Sequence, residues 1–242
     1  MSNLHASLYE LRLFLTTEQG CSYLWGRQAR NVVADPAVTD RHLYTSLAEL
    51  GFRRSGDQLY RPHCRACAAC QSLRIPAARF QPNRSQRRLW ARNQDLRARL
   101  VDAVFQDEHF ALFSRYINAR HAGGGMDPDS PDYYWSFVTS HWCPTRLCEF
   151  RFNGELLAVA VVDYLENGLS AVYTFFDPLQ AARGLGTHAI LWQIAEARRL
   201  GLRWVYLGYW VEHCRKMAYK TRFHPHEVFV TERSCWVEER GE

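Results

Sequence analysis

The chain has 242 residues, of which 47% are hydrophobic, and a formal net charge of +5 at pH 7. Its 8 Trp, 12 Tyr and 13 Phe exclude a disordered polypeptide, because disordered chains are poor in aromatic residues. No apolar stretch is long enough to span a bilayer, and the N-terminal segment lacks the basic and apolar regions of a secretory signal. We therefore expect a cytoplasmic protein whose eight cysteines are reduced thiols or metal ligands.

The first hundred residues are rich in arginine and predict short elements. Alternating leucines predict a strand over residues 11–17. Leucines at helical spacing predict a helix that is capped by Thr39 or Asp40 and ends at Gly51. The remaining predicted elements of this half are a hairpin around Ser55-Gly56-Asp57 and a helix over residues 85–100.

The pattern changes near residue 101, which predicts a domain over residues 1–100 and a second over residues 101–242. The second begins with a helix over 107–121, ended by Gly123-Gly124-Gly125, and a helix over 131–141, capped by Ser130. Three strands are predicted in LCEFRF, ELLAVAVVDYL and LSAVYTFF, with turns at Asn153-Gly154 and around Asn167. The loop AARGLGT then opens a helix, and the chain ends with a strand RWVYLGYW, a short helix EHCRKMAYK and a strand HEVFVTERSCWV. This order indicates an α+β fold with a cleft beside a helix N-terminus.

A basic stretch stands out between residues 61 and 99, which contains ten arginines and one acid and so has a local net charge of +9. A field of one sign favours a polyanionic partner, whereas a solvated helix face usually mixes both signs. Both interpretations remain open for the predicted helix. Its candidate nucleic-acid contacts are Arg84, Arg87, Arg88 and Arg92.

Three cysteines, Cys64, Cys67 and Cys70, follow one another at a spacing of three residues. Such spacing suits zinc or an iron–sulfur cluster, with Cys21 or His63 as a fourth ligand. The alternative is that the cysteines are small packing residues in a tight turn. Four other cysteines show no ligand spacing and are predicted to be structural: Cys143, Cys148, Cys214 and Cys235.

Two segments of the second half suggest a binding site. The loop Arg183-Gly184-Leu185-Gly186-Thr187 suits an anion cradle at a helix N-terminus, and a plain turn is the alternative. The segment YLGYWVEHCRKMAYKTRF combines aromatic rings with cations, as a site for a base, a ribose or a carboxylate would. Its alternative is an amphipathic helix that packs Met217 and Tyr219 into the core.

Five segments together resemble the arginyl-tRNA–protein transferase family. They are CSYLWGRQARN, YRPHCRACAAC, SLRIPAARFQPNRSQRRLWARN, YTFFDPLQAARGLGTHAI and YLGYWVEHCRKMAYKTRFHPHE. The resemblance, strongest to the short bacterial branch, implies a C-terminal catalytic domain with the N-acetyltransferase (GNAT) fold and a smaller α+β N-terminal domain that bears the cysteine cluster. It implies that leucine passes from leucyl-tRNA to proteins that begin with Asp or Glu, which marks those proteins for degradation. Neither a membrane nor DNA is expected as a partner.

This implied chemistry suggests roles for individual residues. An aminoacyl ester is already activated, so its transfer requires no cofactor, and zinc or an iron–sulfur cluster on Cys21, Cys64, Cys67 and Cys70 would be structural or regulatory. The candidates for the acidic acceptor are Lys216, Lys220, Arg222, Arg30 and Arg61. The candidates for the donor are Tyr173, Phe175, Gly184, Leu185, Gly186 and Trp210. Asp177 and Tyr209 are the candidate general bases.

Three alternatives remain open at this level. The donor amino acid can be arginine rather than leucine. The protein can be a coenzyme A-dependent N-acetyltransferase, although Ala181 stands where the acetyltransferase signature has Arg or Gln, three residues before Gly184. It can also be a non-catalytic zinc-containing RNA-binding protein, which accounts for the cysteines and arginines but not for the second half of the chain.

Overall fold

The computed structural model describes residues 11–239 except 122, 124 and 213, and its architecture is mixed α+β. The described strands form one sheet of eight strands, one of four and one of two. None of the described helices is long and apolar enough to cross a membrane.

The elements of the first half are short. In chain order they are β1 (Leu13–Leu15), β2 (Gln19–Gly20), β3 (Gln28–Ala29), β4 (Asn31–Ala34), α1 (Arg41–Glu49), β5 (Arg53–Ser55), β6 (Gln58–Pro62), β7 (Gln71–Pro76), α2 (Arg84–Arg92) and β8 (Arg97–Asp102).

Most elements of the second half are longer. They are α3 (Asp107–Arg120), α4 (Pro131–Val138), β9 (Thr145–Phe152), β10 (Glu155–Tyr164), β11 (Gly168–Phe176), α5 (Leu185–Arg199), β12 (Trp204–Trp210), β13 (His226–Val230) and β14 (Cys235–Glu239). Short 3-10 helices cover Pro36–Val38, Pro178–Arg183, Lys220–Arg222 and Thr231–Arg233.

The eight-stranded sheet is mixed and has the order β14-β13-β7-β12-β11-β10-β9-β8. β11 and β12 are parallel and are joined by the crossover helix α5, as parallel neighbours require. β7 and β8 precede residue 101, so strand pairing crosses the predicted domain boundary. The division into two domains therefore stays a prediction. β1, β4, β6 and β5 form the four-stranded sheet, and β2 pairs with β3.

Both faces of the large sheet are buried at β10. Ala158, Ala160 and Val162 belong to the core that contains the apolar side of α5. Val159 and Val161 belong to a second core, formed with α3 and α4. Because successive side chains of a strand point to opposite faces, a strand covered on both sides needs a continuous apolar run. The sequence ELLAVAVV meets this requirement.

Several predicted boundaries are confirmed by their capping contacts. Asp40 Oδ1 accepts the N–H of Leu43 at 2.7 Å at the start of α1, and Gly51 follows that helix with φ of +83°. The Ser130 hydroxyl oxygen accepts the N–H of Tyr133 at 3.1 Å at the start of α4. The Asn153-Gly154 turn joins β9 to β10. Gly124, one of the three glycines predicted to end α3, lies outside the described residues.

Three element predictions are wrong. The helix predicted over 85–100 ends at Arg92, because the Asn93 side chain binds the carbonyl oxygens of Leu89 and Arg183, and Arg97–Asp102 forms the edge strand β8. The described residues of EHCRKMAYK form turns instead of an α-helix, and Lys220 begins a 3-10 helix. The last predicted strand is a hairpin of β13 and β14, interrupted by Thr231–Arg233.

A buried ion pair joins the β5–β6 hairpin to the large sheet. Arg54 donates from Nε and Nη2 to the two carboxylate oxygens of Asp163 at 2.5 and 2.7 Å, and both side chains are fully buried. Asp163 also accepts from the Thr145 hydroxyl at 2.7 Å. The remaining N–H groups of Arg54 reach the carbonyl oxygens of Gly56, Val138 and Thr139. Each charge is therefore neutralised and hydrogen-bonded, which is the condition for keeping ions out of water.

Removing one partner of this ion pair is expected to destabilise the fold strongly. In Asp163→Asn the Arg54 charge stays buried without a counterion, which costs about 3–5 kcal/mol in the free energy of unfolding. The matched control is Asp102→Asn, since Asp102 pairs with Arg146 at the surface, where such pairs contribute about 1 kcal/mol or less. Urea unfolding followed by circular dichroism measures both. Equal midpoints for the two variants would contradict this account.

Candidate active site

β11 and β12 part midway along their length. Parallel pairing joins residues 168–170 to residues 204–206 and then stops, although β11 continues to Phe176 and β12 to Trp210. Residues 171–174 are partly exposed even though β11 lies inside the sheet. Backbone N–H and C=O groups therefore face an opening at the carboxyl ends of two parallel strands. Open α/β sheets bind ligands at this position.

Aromatic rings surround Tyr173, one of the predicted donor contacts. Its ring lies 5.0 Å from that of Phe137 and 6.3 Å from that of Tyr116, and its hydroxyl donates to the Met126 sulfur at 3.7 Å. Burial raises the pKa of Tyr173, followed by the neighbouring Tyr116, so the phenol stays neutral. This half-buried ring gives the opening an apolar wall.

The other two predicted aromatic donor contacts differ in exposure. Phe175 is fully buried and packs edge-to-face against Phe113 and Tyr134, so it belongs to the core. Trp210, at the end of β12, is half-buried and pairs through its backbone with Gln71 of β7. Tyr173 and Trp210 therefore remain candidates for contact with a ligand, whereas Phe175 supports the strand from behind.

The glycine loop is covered by α2. Gly184 has φ of +63°, and a Cβ at this residue would lie 2.5 Å from a methyl group of Leu89. Arg92 donates to the Ala182 carbonyl oxygen at 2.5 Å, and Arg183 binds Asp95 through two hydrogen bonds of 2.9 Å. Leu185 is buried, and a Cβ at Gly186 would meet the Phe176 ring at 3.5 Å. These contacts favour the turn interpretation over the anion cradle.

Lys220 occupies a half-buried position behind β12, and its ammonium group donates to the Tyr209 carbonyl oxygen at 2.6 Å. Burial and, secondly, the charge of Arg53 lower the pKa of Lys220 from 10.5 to about 7, with Cys214 acting in the opposite direction. Lys220 is thus a cation that readily gives up its proton. It is one of only two lysines in the chain, the other being the exposed Lys216.

Arg53 lies beside Lys220, and the sequence patterns did not single it out. It is only 5% exposed, and its guanidinium lies 5.5 Å from the centre of the Tyr206 ring. Its Nη1 atom is buried and has no hydrogen-bond partner among the described residues. The one local signal was the pair Arg53-Arg54 in a short strand. Adjacent strand residues point to opposite faces, so in a strand with one buried face one of two neighbouring arginines must be buried.

The two candidate general bases differ in their surroundings, and their roles stay predictions. The Tyr209 hydroxyl has one proton to donate and lies 2.9 Å from the Tyr60 carbonyl oxygen and 3.2 Å from that of Gly51. Burial, then the neighbouring Tyr60, raises the pKa of Tyr209 well above 10, so its phenolate is not available near neutral pH. This argues against Tyr209 as a base. The Asp177 carboxylate accepts the N–H of Leu179 at 2.9 Å and thereby caps the 3-10 helix before α5.

The remaining acceptor candidates are spread over the surface. Arg222 is exposed, and its backbone carbonyl accepts from the Gln86 side chain at 3.0 Å. Arg30 donates to the His63 carbonyl at 3.2 Å, and Arg61 packs on the Phe52 and Phe229 rings. Arg61 is close enough to Tyr209 to lower its pKa, and the Tyr209 carbonyl oxygen accepts from Lys220. Among the described acceptor candidates, the half-buried Lys220 is the one that lies beside a buried cation, Arg53.

The arginine stripe lies on the exposed side of α2 and consists of Arg84, Arg87, Arg88 and Arg92. The buried Gln86 on the opposite side fixes the helix rotation through its bond to Arg222. In the described part of the chain, no carboxylate forms an ion pair with these four arginines, unlike Arg183 with Asp95. The stripe thus presents unpaired positive charge next to the loop that precedes α5.

Cys21, Cys64, Cys67 and Cys70 line one cavity of about 690 Å³, together with Tyr60 and Tyr209. The Cys21 sulfur accepts the N–H groups of Tyr23 and Leu24, each at 3.4 Å. Burial and then the neighbouring thiols raise the pKa of Cys70 to about 12, so that its thiol keeps its proton near neutral pH. As placed, the described His, Cys, Asp and Glu side chains include no group of three or more that fits a metal ion. Bound metal stays a prediction.

Of the other four cysteines, Cys214 lies near the cluster, since it contributes to the raised pKa of Cys70. Cys143 and Cys148 are buried, as the packing interpretation predicts, whereas Cys214 is half-buried and Cys235 is exposed. Cys214 is the one of these four that lies near the candidate site, because it influences the pKa of Lys220.

Two family models match the chain. The one described as "Arginine-tRNA-protein transferase, N terminus" matches residues 19–88, and the one described as "Arginine-tRNA-protein transferase, C terminus" matches residues 108–230. The chain belongs to the arginine-tRNA-protein transferase family. The two matched segments contain the cysteine cluster and the opening between β11 and β12, respectively.

Curated relatives agree with this assignment. The chain is 52% identical over 231 residues to "Aspartate/glutamate leucyltransferase" of Pseudomonas fluorescens (strain Pf0-1), which covers 95% of this chain and 97% of the relative. It is 53% identical over 225 residues to the protein of the same name from Nitrosococcus oceani, covering 92% and 94%. The resemblance stated from the sequence is confirmed, and the chain is an aminoacyltransferase.

A solved structure shares the fold. The C-terminal domain of a putative lysylphosphatidylglycerol synthetase from Agrobacterium fabrum superposes with a TM-score of 0.50 at 16% identity. The match covers 77% of this chain and 64% of that chain, so the present protein spans less than two thirds of it. At this identity the likeness concerns the fold alone.

Neutralising the stripe is expected to weaken tRNA binding without changing which tRNA is bound. Phosphate contacts carry no base information, and each contributes roughly 0.7–0.9 to the logarithmic salt slope of the binding constant. Replacing Arg84, Arg87 and Arg88 by Gln should therefore flatten that slope for every tRNA tested. A control triple variant replaces three exposed arginines elsewhere, Arg115, Arg203 and Arg233. An unaltered salt slope in the α2 variant would contradict tRNA binding by the stripe and favour a solvated helix face.

The low pKa of Lys220 predicts a titration near neutral pH. Because the pKa falls from 10.5 to about 7 on folding, the folded protein releases the Lys220 proton between these values while the unfolded chain keeps it. This group therefore makes the folded state more stable as the pH rises through that window and less stable as it falls. Methyl-labelled lysines give two NMR signals, assigned with Lys216→Arg. A Lys220 signal without a midpoint near pH 7 would contradict the geometry.

Proposed function

We propose that this protein transfers leucine from leucyl-tRNA to the N-terminal amine of proteins that begin with Asp or Glu. The observation that carries the proposal is the identity of 52% over 95% of the chain to a protein named for this activity. Transfer adds one residue to the acceptor and marks it for degradation through the N-degron pathway. Aminoacyl-tRNA is a cytoplasmic compound, so we keep the cytoplasm as the expected compartment.

The reaction is the aminolysis of an ester. The α-amine attacks the ester carbonyl carbon, a peptide bond forms, and the bond to the tRNA ribose oxygen breaks after one proton has moved from the amine to the leaving oxygen. An α-amine has a pKa of about 7.7–8.0, so part of it is neutral at cytoplasmic pH. The protein must therefore hold the two reactants together and stabilise a tetrahedral oxyanion.

The opening between β11 and β12 suits these tasks. Backbone N–H groups of a strand that has lost its partner are preorganised donors for an oxyanion, because no rearrangement is needed to expose them. Tyr173 and the rings around it supply an apolar wall for the leucine side chain. The arginine stripe on α2 borders the loop before α5 and is proposed to bind the phosphates of the tRNA.

The crossover β11-α5-β12, with its parallel pair that parts, supports our proposal that the C-terminal region has the GNAT type of fold. The coenzyme A alternative is weaker, since α2 covers the loop that would have to cradle its pyrophosphate. The non-catalytic alternative leaves the opening unexplained. We also propose that zinc or an iron–sulfur cluster binds the four cysteines in a structural or regulatory role. No step of the reaction depends on it.

The decisive test compares donors and acceptors in one assay. Purified protein is mixed with leucyl-, arginyl- or phenylalanyl-tRNA, or with acetyl-coenzyme A, and with peptides that differ only in a first residue of Asp, Glu, Asn or Gln. Transfer of leucine to the Asp and Glu peptides is expected. The products are detected by mass spectrometry. Arginine transfer would favour the alternative donor. Acetyl transfer without tRNA, or no transfer at all, would overturn the proposal.

A further inference from the structure

Three arginines of the described chain are buried: Arg53, Arg54 and Arg74 are 5%, 6% and 8% exposed. Arg54 is paired with Asp163, and Arg74 with Glu227 at 2.7 Å. Arg53 differs from both, because no described carboxylate forms an ion pair or hydrogen bond with it. A buried charge without a counterion is costly, so such an arginine calls for a partner from outside the chain.

The neighbours of Arg53 supply no negative charge. Its guanidinium lies over the Tyr206 ring, and Tyr44, Tyr60 and Tyr209 are the nearby hydroxyl groups. Burial raises the pKa of each of these three phenols, so none is a phenolate near neutral pH. The remaining charged neighbour is Lys220, which is itself a cation. No described carboxylate pairs with either basic side chain, and their other titratable neighbour is Cys214, which raises the pKa of Lys220.

Gly208 has no side chain at a point that lies between these two cations. It lies two residues beyond the last parallel pair of β12 and β11, and it is half-buried with φ of +79°. A Cβ on Gly208 would lie 3.5 Å from the Lys220 nitrogen and 3.8 Å from Nε and Nη2 of Arg53. One point above this half-buried glycine is therefore within van der Waals contact of both cationic groups.

We propose that Arg53 and Lys220 together bind the side-chain carboxylate of the acceptor's N-terminal Asp or Glu above Gly208. This inference rests on the proposed function and adds the residue that sets its acceptor specificity. A carboxylate can accept from the planar guanidinium and from the ammonium group at the same time. An amide of the same shape, as in Asn or Gln, would present an N–H₂ group and leave the buried arginine without its counterion.

The position also fits the geometry of the reaction. Gly208 belongs to the free part of β12, on the border of the opening where the leucyl ester is proposed to bind. In Asp and Glu the α-amine is separated from the side-chain carboxylate by only a few bonds. A carboxylate fixed above Gly208 would therefore place the amine close to the unpaired edge of β11, which is what a transfer by proximity requires.

The first experiment replaces Arg53 by Gln and by Lys and measures kcat/KM for Asp- and Asn-initiated peptides at saturating leucyl-tRNA. Loss of the charge-assisted bonds should lower the Asp value roughly 10- to 100-fold in Arg53→Gln, leave the Asn value unchanged and leave the Kd for leucyl-tRNA unchanged. Arg53→Lys should retain part of the discrimination. Arg115→Gln, on the exposed side of α3, is the control. A folded Arg53→Gln protein with the wild-type ratio of Asp to Asn would overturn the inference.

A second measurement needs no change at Arg53 and covers the case in which its variants do not fold. The dipeptides Asp-Ala and Asn-Ala are titrated into wild-type protein while the methyl-labelled Lys220 signal is recorded over pH. Asp-Ala should raise the midpoint of Lys220, because a carboxylate favours its charged form, and Asn-Ala should not. Equal effects of the two dipeptides would contradict the proposal.

The two failures are distinguishable. Wild-type protein that transfers no leucine to the Asp peptide would refute the proposed function, whereas active wild type with an unaffected Arg53→Gln variant would refute only this site.

Discussion

The ion pair between Arg54 and Asp163 fixes the position of everything that the β5–β6 hairpin carries. Both side chains are fully buried, and the pair connects an edge strand of the four-stranded sheet to β10 in the large sheet. Because neighbouring residues of a strand point to opposite faces, anchoring Arg54 on one side directs Arg53 to the other, toward Tyr206 on β12. A structural ion pair therefore sets the geometry of an arginine that has no partner of its own.

Pairing with β7 keeps β12 ordered where β12 no longer pairs with β11. β12 pairs with β7 from Trp204 to Trp210, with an irregularity between Tyr206 and Gly208, so one of its edges stays hydrogen-bonded while the other becomes free. Arg74 of β7 strengthens this junction, since its guanidinium lies 3.6 Å from the centre of the Trp204 ring and 4.1 Å from that of Trp236. A strand from the first hundred residues thus supports the opening in the second half of the chain.

Local signals in the sequence were sufficient for elements that are specified locally. The Asp40 cap, the Ser130-Pro131 start and the Asn153-Gly154 turn all depend on a few adjacent residues. β8 was missed because its alternating arginines continue the basic pattern of α2, and only pairing with β9 makes them a strand. The missing counterion of Arg53 is a tertiary property, since the carboxylates nearest in sequence, Glu49 and Asp57, bind Asn167 and His141 instead. The family resemblance predicted the reaction, but it did not indicate a role for Arg53.

The difference between arginine and lysine gives the proposed acceptor site a physical rationale. Arginine keeps its charge at all relevant pH values, whereas a buried lysine can lose its proton. Burial and, secondly, the Arg53 charge lower the pKa of Lys220 to about 7, so that part of Lys220 is neutral near that pH beside the charged Arg53. An arriving carboxylate would reverse this preference and restore the second charge. Both side chains would then be charged mainly when an acidic acceptor is bound. The free-energy cost of burying two cations is offset by their attraction to the bound carboxylate.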